Sequence, residues 1–431
     1  MGIIHKKPKK NGQKKGLGAG LRSGLITALD VGSTKVACFI AHPFEDGSAE
    51  VIGIGHQISE GIRNGNVTDM DAVEASIRAT VEAAEKMAGE NVRDVVLSIS
   101  GATLDSKLIS FDVSISSNEI GDADLRRALD PAWLYSQLPE DRRIIHALPV
   151  AFSIDGNRGV RDPRGMYGEK LSVNMHVVTA AAASLRNLVS CVNRCHLDIE
   201  SLVVTPFASG LSSLVEDEKN LGVTCIDMGG GKTDMSVFFD GAAIYMDSIP
   251  VGGHHVTNDI ARGLSAPLAY AERMKTLYGS AMPSPSDDQE LIKVPLVGEE
   301  KEDSNQIARS MLVGIIRPRI EEILELVCGK LEETGFDNVA GRRVVLTGGA
   351  SQLTGVRELT GEILNKQVRM GGPANLSGLA ESANVPAFSA AAGLIQFTLN
   401  ERAAAAIPSL CTLEAPNSRL GRIGQWIREK I

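Results

Sequence analysis

Residues 225–237 read CIDMGGGKTDMSV and join two apolar runs through an acidic residue and three consecutive glycines. The runs 223–228 and 235–239 favour strands, and the glycines between them favour a tight turn. Glycines let backbone amides come close to a bound anion, and consecutive turn amides form a concave anion site. Asp227 enters the turn and is of the residue type that holds Mg²⁺ beside a phosphate. Taken alone, the stretch also fits an ordinary hairpin with a flexible tip.

A second stretch with the same order makes the phosphate interpretation stronger. Residues 28–36 read ALDVGSTKV, again an apolar strand, an aspartate, a glycine-containing turn and an apolar strand. Two such hairpins, each starting one half of a long chain, predict two similar domains that close on one nucleotide. The residues predicted to grip its phosphates are Gly32, Ser33, Thr34 and Lys35 in the first turn and Gly229, Gly230, Gly231, Lys232 and Thr233 in the second. Asp30 and Asp227 are predicted to organise Mg²⁺ and its waters.

A third element supplies a resting place for a nucleoside. Residues 344–351 read VVLTGGAS, a buried strand that ends in Gly348 and Gly349 before a helix start. Gly252 and Gly253 form a similar turn earlier in the second half. Glu272 and Lys275 lie one helical turn apart, so both side chains can face the cleft, although an ordinary surface pair has the same spacing.

Composition sets the limits of the function. The 431 residues are 43% hydrophobic, enough for folded cores, and the net charge of −9 argues against nucleic-acid binding by the whole chain. The six cysteines lie mostly in apolar segments and are interpreted as reduced thiols. No apolar run reaches the roughly 20 residues that span a bilayer. The basic start has no apolar core, so we do not expect a secretory signal.

The order of patterns along the chain predicts several units. An α+β segment interrupts the first half, a smaller segment interrupts the second, and Pro318 predicts a kink or break in a long helix. The predicted units are a disordered basic tail at 1–23, a first domain at 24–101 with 180–220 and 372–400, an inserted domain at 102–179, a second domain at 221–253 with 316–371, an inserted subdomain at 254–315, a linker at 401–417 and an amphipathic helix at 418–431.

The last stretch has the pattern of a helix that lies in a membrane interface. The apolar residues Leu420, Ile423, Trp426, Ile427 and Ile431 share one helical face, which Arg419, Arg422, Arg428 and Lys430 flank. An apolar face with a tryptophan and a basic rim is typical of such helices. A terminal helix docked on its own protein, or frayed in water, is the alternative.

The three glycine stretches resemble the phosphate 1, phosphate 2 and adenosine motifs of the actin-like ATPase superfamily. Over residues 24–400 and the final stretch, the chain resembles the FtsA family of bacterial cell-division proteins. The resemblance implies an α/β, actin-like fold with two ribonuclease-H-like domains around a nucleotide cleft. It also implies that ATP and Mg²⁺ are the cofactors and that Glu272, Lys275, Gly348 and Gly349 surround the ribose and adenine.

The resemblance further implies a location and partners. A member of this family would be a peripheral protein on the cytoplasmic face of the bacterial inner membrane, at the division septum. It would polymerise with copies of itself, anchor filaments of FtsZ, and recruit later division proteins through the insert at 102–179. Arg317 and Arg319 are then candidate contacts for the FtsZ C-terminal peptide; ordinary solvated helix residues are the alternative.

The start of one helix argues against efficient hydrolysis. Active actin-like ATPases place Gln or Glu there to orient water, whereas this chain has Thr205, whose side chain is too short to act as a base. We therefore expect ATP binding with slow turnover. A sugar- or acetate-kinase-type phosphotransferase is the alternative function, although no general base is evident beyond the two aspartates. A chaperone-type ATPase would need a large appended peptide-binding domain.

Overall fold

Within the described residues, eighteen strands form two large sheets and three smaller ones. The computed structural model describes residues 24–406 except 101–103, 117–118, 131–133, 135–137 and 298–303. The strands are β1 (Ile26–Val31), β2 (Lys35–Pro43), β3 (Ala49–Ile58), β4 (Ile62–Arg63), β5 (Asn66–Val67), β6 (Asp94–Ile99), β7 (Asp105–Ser114), β8 (Arg142–Ile154), β9 (Asn157–Val160), β10 (Lys170–Ala181), β11 (Asp198–Val204), β12 (Val223–Met228), β13 (Thr233–Phe239), β14 (Ala242–Ile249), β15 (Leu291–Pro295), β16 (Ser304–Ala308), β17 (Arg343–Thr347) and β18 (Gln367–Met370).

Helices cover the faces of these sheets. Within the described residues they are α1 (Met70–Ala88), α2 (Asp122–Leu129), α3 (Ala182–Arg194), α4 (Thr205–Ser213), α5 (Glu216–Leu221), α6 (Gly253–Gly263), α7 (Leu268–Tyr278), α8 (Arg309–Glu333), α9 (Phe336–Val339), α10 (Val356–Leu364) and α11 (Ser389–Ala406).

The two large sheets repeat one topology. The first has the order β11-β6-β1-β2-β3 and the second has the order β14-β13-β12-β17-β18. In each, an antiparallel meander of three strands is extended by two parallel strands, β6 and β11 in the first half and β17 and β18 in the second. The predicted α/β class with two similar halves is confirmed. Because β1 and β12 are both central strands, the hairpin turns that follow them reach the middle of the molecule.

Two helices lie between the halves and pack very closely. Helix α11 crosses α4 where a Cβ on Gly393 would lie 1.8 Å from the carbonyl oxygen of Ala208. No side chain fits at that distance, so the crossing requires glycine. Apolar residues of α11, including Leu394 and Ile395, are fully buried against the first sheet. This packing fixes α4 at the floor of the space between the two hairpins.

The insert in the first half is a small α+β unit, as its pattern predicts. Its antiparallel sheet has the order β7-β10-β8-β9, and α2 packs on one face. It has a core of its own, which includes Leu125, Leu171 and Val173. The sheet also contacts β14 of the second half and β11 of the first. The insert therefore touches both large domains.

Two strands were not predicted, and two helices differ from their predicted course. Strand β16 pairs with β15 although its sequence is polar, and the short strand β18 pairs with β17 at the edge of the second large sheet. Helix α8 is continuous through Pro318, because Ile316 and Ile320 on either side are buried in the core of the second half and hold the turn in place. Helix α11 continues to Ala406 and so enters the predicted linker at 401–417, since alanine is the strongest helix former. The first residues of the predicted linker are therefore helical.

Several predictions fall outside the described residues. These are the basic tail at 1–23, the linker from 407 to 417, and the amphipathic helix with Leu420, Ile423, Trp426, Ile427 and Ile431. Within the described part of the chain, no helix is both long and apolar enough to cross a bilayer.

Candidate functional site

The turns that follow β1 and β12 meet directly. A Cβ on Gly230 would lie 2.2 Å from Cγ2 of Thr34, and a Cβ on Gly231 would lie 2.6 Å from Oγ of Ser33. Glycines are therefore required for the two turns to approach this closely. A cavity of about 190 Å³ lies at their junction. It is lined by Asp30, Gly32, Ser33, Thr34, Lys35, Ser100, Thr205, Asp227, Gly229, Gly230, Gly231, Lys232, Asp234, Gly348, Gly349, Ala387 and Ala390.

The two predicted metal-binding carboxylates occupy equivalent places. Asp30 and Asp227 are each the penultimate residue of a six-residue central strand, and each is 8% exposed. Asp30 Oδ1 accepts a hydrogen bond of 2.7 Å from Ser98 Oγ, and Asp227 Oδ2 accepts one from Ser209 Oγ. A buried serine thus fixes one oxygen of each carboxylate, which leaves the other oxygens for a further ligand.

Burial raises the pKa of both carboxylates. Desolvation is the largest cause for Asp227, whose pKa rises to about 7, and the neighbouring charges of Asp234 and Asp30 raise it further. Desolvation also raises the pKa of Asp30, against the lowering effects of Ser98 and Lys35. Concentrated negative charge in a dehydrated site favours the binding of a cation, which removes the repulsion.

Two lysines balance part of this charge. Lys35 Nζ donates to the carbonyl of Ala387 and lies 3.3 Å from the ring centre of Phe388. Burial lowers the pKa of Lys35 to about 8, although Asp30 and Asp227 act in the opposite direction. Lys232 Nζ lies 2.9 Å from Oδ1 of Asp234, and both side chains are almost fully buried. Neither of these two atoms makes a hydrogen bond to any described residue, so both retain hydrogen-bonding capacity beside the cavity.

These residues fit a phosphate with a divalent cation. Mg²⁺ in proteins is commonly held by one or two carboxylates together with phosphate oxygens and water, and Asp30 and Asp227 supply two carboxylates. No group of three or more His, Cys, Asp or Glu side chains suited to a metal occurs among the described residues. A cation here would therefore depend on oxygen atoms that a phosphate brings.

The second glycine pair supports the turn from behind. Gly253 N donates to Gly229 O at 3.0 Å, and His254 N donates to Gly230 O at 2.7 Å. A Cβ on Gly252 would lie 2.6 Å from Gly229 O, so the contact depends on glycine. Gly252 and Gly253 thus hold the turn and are not part of the cavity lining.

Glu272 and Lys275 form a network beside this support. Lys275 Nζ donates to Gly253 O at 3.2 Å and to Thr257 Oγ1 at 2.9 Å, and it pairs with Glu272 at 2.7 Å. Hydrogen bonds and the nearby positive charge of Lys275 lower the pKa of Glu272, against a desolvation effect that is the largest single contribution. The two side chains lie together at the start of α6, next to the cavity but outside its lining.

The hydroxyl of Thr233 is not part of the cavity lining. Thr233 is fully buried, and its Oγ1 donates to Val251 O at 2.9 Å. Thr205 does line the cavity, at the first position of α4, and its Oγ1 donates to Ile99 O at 3.1 Å. That hydroxyl therefore contributes to fixing the helix start.

Sequence reasoning missed four polar residues of the cavity or its support: Asp234, Ser98, Ser209 and Ser100. Asp234 pairs with Asp227 across β12 and β13, so the hairpin register could have identified it. The serines come from β6, its end and α4, where no local motif marks them.

Arg317 and Arg319, the candidate peptide contacts, lie on α8. Arg317 Nε donates to Glu321 at 2.7 Å, and Arg319 Nε donates to Asp259 on α6 at 2.5 Å. Arg319 also pairs with Glu322. Both guanidinium groups are partly exposed and already engaged by acidic side chains, far along the chain from the hairpin turns.

Comparisons with known proteins agree with this arrangement. The family model described as "Cell division protein FtsA" matches residues 224–393, and the model described as "SHS2 domain inserted in FTSA" matches residues 101–179. The cell division protein FtsA of Rhizobium meliloti (strain 1021) is 45% identical over 424 residues, which are 95% of this chain and 96% of that protein. FtsA of Escherichia coli (strain K12) is 31% identical over 416 residues, 94% of this chain and 98% of that protein.

Solved structures share the fold at low identity. The PilM-PilN type IV pilus biogenesis complex matches with a TM-score of 0.62 and 17% identity, over 87% of this chain and 98% of that chain. MreB 5 of Spiroplasma citri bound to AMPPNP matches with a TM-score of 0.54 and 12% identity, over 89% of this chain and 98% of that chain. These likenesses concern the actin-like fold, and the full-length sequence relatives identify the group. The chain belongs to the FtsA family of cell division proteins.

Proposed function

We propose that this chain is an ATP-binding actin homologue of cell division that polymerises at the inner membrane and anchors FtsZ filaments there. The observation that carries the nucleotide part is the direct meeting of two glycine turns between Asp30 and Asp227. The MreB 5 structure of the same fold was solved with AMPPNP, which supports a nucleotide as the ligand.

The chain's own residues divide the work of binding. The amides of Ser33, Thr34 and the 230–232 turn hold the β- and γ-phosphates, and Lys35 and Lys232 neutralise their charge. Asp30 and Asp227 hold Mg²⁺, which when bound screens the phosphate oxygens from the carboxylates. Gly348 and Gly349 lie against the nucleoside with Glu272 and Lys275 at its edge. Because residues of both halves hold the nucleotide, its binding favours the closed arrangement of the two domains.

Hydrolysis is slow because the start of α4 lacks a base. Thr205 lines the cavity but its hydroxyl donates to a backbone carbonyl, so the residue cannot orient and deprotonate water as a carboxylate would. We expect steady-state turnover below about 1 s⁻¹, the low end of ordinary enzymes. A faster rate with purified protein would contradict this assignment.

The family membership supports the cellular part of the proposal. The protein is peripheral on the cytoplasmic face of the inner membrane at the septum, held by the amphipathic stretch 418–431. The FtsZ C-terminal peptide binds the second-half insert at 254–315. Arg317 and Arg319 lie beside it on α8, where Arg319 pairs with Asp259 of the insert, and both arginines exchange their acidic partners for those of the peptide. Later division proteins bind the insert at 102–179. The folded domains assemble into the filament, and the stretch 418–431 binds the lipid.

Vesicle co-sedimentation tests the proposal. Full-length protein is sedimented with anionic vesicles, with ATP or without nucleotide, and with or without the FtsZ C-terminal peptide. We expect ATP-promoted sedimentation and recruitment of the peptide to the vesicle pellet. Protein that stays in the supernatant under all conditions would contradict the proposal.

The alternative phosphotransferase function has its own test. A kinase of sugars or acetate would transfer the γ-phosphate of ATP to a small acceptor, which a coupled ADP-release assay with a panel of acceptors detects. We expect no stimulation of ADP release by any acceptor.

A further inference from the structure

A buried imidazole of the insert contacts the start of the helix that lines the candidate nucleotide site. His146 lies on β8, and its Nε2 accepts a hydrogen bond of 3.1 Å from the backbone N–H of Val204. Val204 is the last residue of β11 and immediately precedes α4. His146 is 5% exposed, so the bond is shielded from water. The inserted domain therefore holds the strand–helix junction at the floor of the cavity.

The local structure of β8 delivers the imidazole to this place. In the pairing of β8 with β10, His146 faces Val178 while Ile144 faces Thr179, so Ile145 is an extra residue in the ladder. Such a bulge changes the direction of the neighbouring side chain. Burial lowers the pKa of His146 to about 3, which keeps the imidazole neutral and leaves Nε2 able to accept. The helix start has no side-chain cap of its own.

Aromatic rings fix the imidazole from two sides. The His146 ring lies edge-on to Phe207 of α4, with centroids 5.3 Å apart, and to Phe397 of α11 at 5.9 Å. Phe207 in turn stacks on Phe238 of β13 at 6.2 Å. A chain of ring contacts thus runs from the insert, through α4, to the strand that carries the second phosphate turn.

Helix α4 links this junction to the metal-binding carboxylate. Thr205 and Ser209 are four residues apart and so lie on one face of the helix. Thr205 lines the cavity, and Ser209 donates to Oδ2 of Asp227. Any shift of the helix start therefore moves the serine that orients Asp227.

A second contact makes the insert bridge both halves. Ser106 Oγ on β7 forms a hydrogen bond of 2.5 Å with Nε2 of His176 and accepts one of 3.1 Å from the backbone N–H of Met246 on β14. His176 is fully buried. The insert is therefore hydrogen-bonded to β11 of the first half through His146 and to β14 of the second half through Ser106.

We propose that His146 is a positioning residue through which the inserted domain sets the affinity of the nucleotide site for Mg²⁺-bound nucleotide. The inference rests on the proposed nucleotide binding, and it adds that the insert controls the affinity of that binding. Because such coupling is reciprocal, a ligand of the insert that displaces β8 weakens nucleotide binding, and nucleotide weakens that ligand to the same extent. A purely structural histidine would satisfy the Val204 amide without affecting the metal-dependent part of the affinity.

The test compares three full-length variants by calorimetric titration. His146→Phe keeps a ring for the edge contacts and removes the acceptor. His146→Gln keeps an acceptor of similar reach. Phe397→Leu disturbs the same ring cluster and keeps the hydrogen bond, so it is the matched control for lost packing. Each protein is titrated with ATP in Mg²⁺ and with ATP in EDTA, and its thermal midpoint is measured separately.

We expect His146→Phe to lose about fivefold or more of the affinity for ATP in Mg²⁺, within the usual range of coupling between sites, and little of the affinity in EDTA. His146→Gln should recover most of the loss. Phe397→Leu should lower the thermal midpoint and leave the Mg²⁺ effect unchanged. Equal Mg²⁺ effects in wild type and His146→Phe, or the same loss in Phe397→Leu, would overturn the proposal.

Hydrogen exchange separates failure of this proposal from failure of the proposed function. With no nucleotide added, His146→Phe should accelerate exchange in the peptide that contains 204–209, and His146→Gln should not. If the wild type binds no ATP, the proposed function and the metal coupling both fail. If it binds ATP and the exchange of this peptide is unchanged in His146→Phe, the coupling alone fails.

Discussion

Asp227 combines a predicted metal-binding position with a costly buried charge, and its replacement should separate the two. In Asp227→Asn the amide oxygen can still accept from Ser209, while the charge that desolvation and Asp234 oppose is removed. We expect a higher thermal midpoint at pH 8 together with a loss of affinity for Mg²⁺-ATP of at least about tenfold, since even outer-shell partners of metals contribute that much. Calorimetry for unfolding and for binding measures both. A destabilised variant that binds normally would contradict the assignment.

The same carboxylate predicts a pH dependence. The pKa of Asp227 in the fold is about 7, above its ordinary value of 3.8, so the folded protein binds the proton more tightly than the unfolded chain. The contribution of this group to stability is therefore complete below pH 4 and is lost as pH rises through 7. Mg²⁺ competes with that proton, so affinity for Mg²⁺-ATP should rise between pH 6 and 8. In Asp227→Asn, the stability and the affinity for Mg²⁺-ATP should each depend less on pH than in the wild type. Unfolding and binding measured on both proteins over the same pH range check this.

Single functional residues can be predicted from the sequence where they belong to a local motif. Asp30 and Asp227 could be found because each stands at the end of an apolar strand before a glycine turn, and the structure places both in the cavity lining. Ser98 and Ser209, which orient them, lie on other elements and have no motif. Thr233 belongs to the turn motif, yet its hydroxyl donates to the carbonyl of Val251 and not into the cavity. Such directions depend on tertiary packing.

Among the elements, the two glycine turns that follow β1 and β12 depend on the absence of side chains where they touch. In Gly230→Ala the new Cβ would lie 2.2 Å from Thr34, so the turns must separate. We expect a loss of nucleotide affinity with a small change in stability, because the contact is at the cavity and outside the main cores. Gly314→Ala, in α8 with open space around it, is the control and should stabilise by about 0.5–1 kcal/mol. Unchanged ATP binding in Gly230→Ala would show that the turns are not in contact.

The crossing of α4 and α11 makes a similar prediction for stability. Gly393→Ala would place Cβ 1.8 Å from Ala208 O, a backbone atom that cannot rotate away. Overpacking of this kind costs about 1–3 kcal/mol. Urea unfolding measures the cost, and Gly329→Ala, also helical but unobstructed, provides the comparison. Equal midpoints for Gly393→Ala and wild type would indicate that the helices are farther apart.

Elements with strong periodicity were predicted and those with weak periodicity were not. The apolar runs of β1, β12 and β17 are visible because these strands are buried on both faces. Strand β16 is largely polar, so its sequence gives no alternation to detect, and among the described strands it pairs with β15 alone. Prolines are read as breaks, yet at Pro318 the buried residues on both sides hold α8 together. Tertiary packing overrode the local rule in both places.

For the whole molecule, the sequence predicts the repeat of two similar halves well and the contacts between distant segments poorly. Two aspartate–glycine hairpins imply two equal halves, and the sheets repeat one strand order. The insert's contact with both halves, through Ser106 and His146, joins residues far apart in the chain. The residues around Ser106 and His146 form no motif that indicates these contacts, because a single serine or histidine in a strand is compatible with many surroundings.

Membrane attachment is predicted to reside in one short stretch and to be strengthened by assembly. Burial of a large apolar side chain contributes roughly 1.5–3 kcal/mol, and each basic residue near anionic lipid contributes about 1 kcal/mol. We therefore expect one copy of 418–431 to bind lipid moderately and a filament that presents many copies to bind by avidity. Trp426→Glu should lower the affinity for anionic vesicles about ten- to a hundredfold and leave ATP binding unchanged. Trp426→Phe, which keeps an apolar ring, should sediment nearly as wild type, and full sedimentation of Trp426→Glu would assign the lipid contact to another part of the chain.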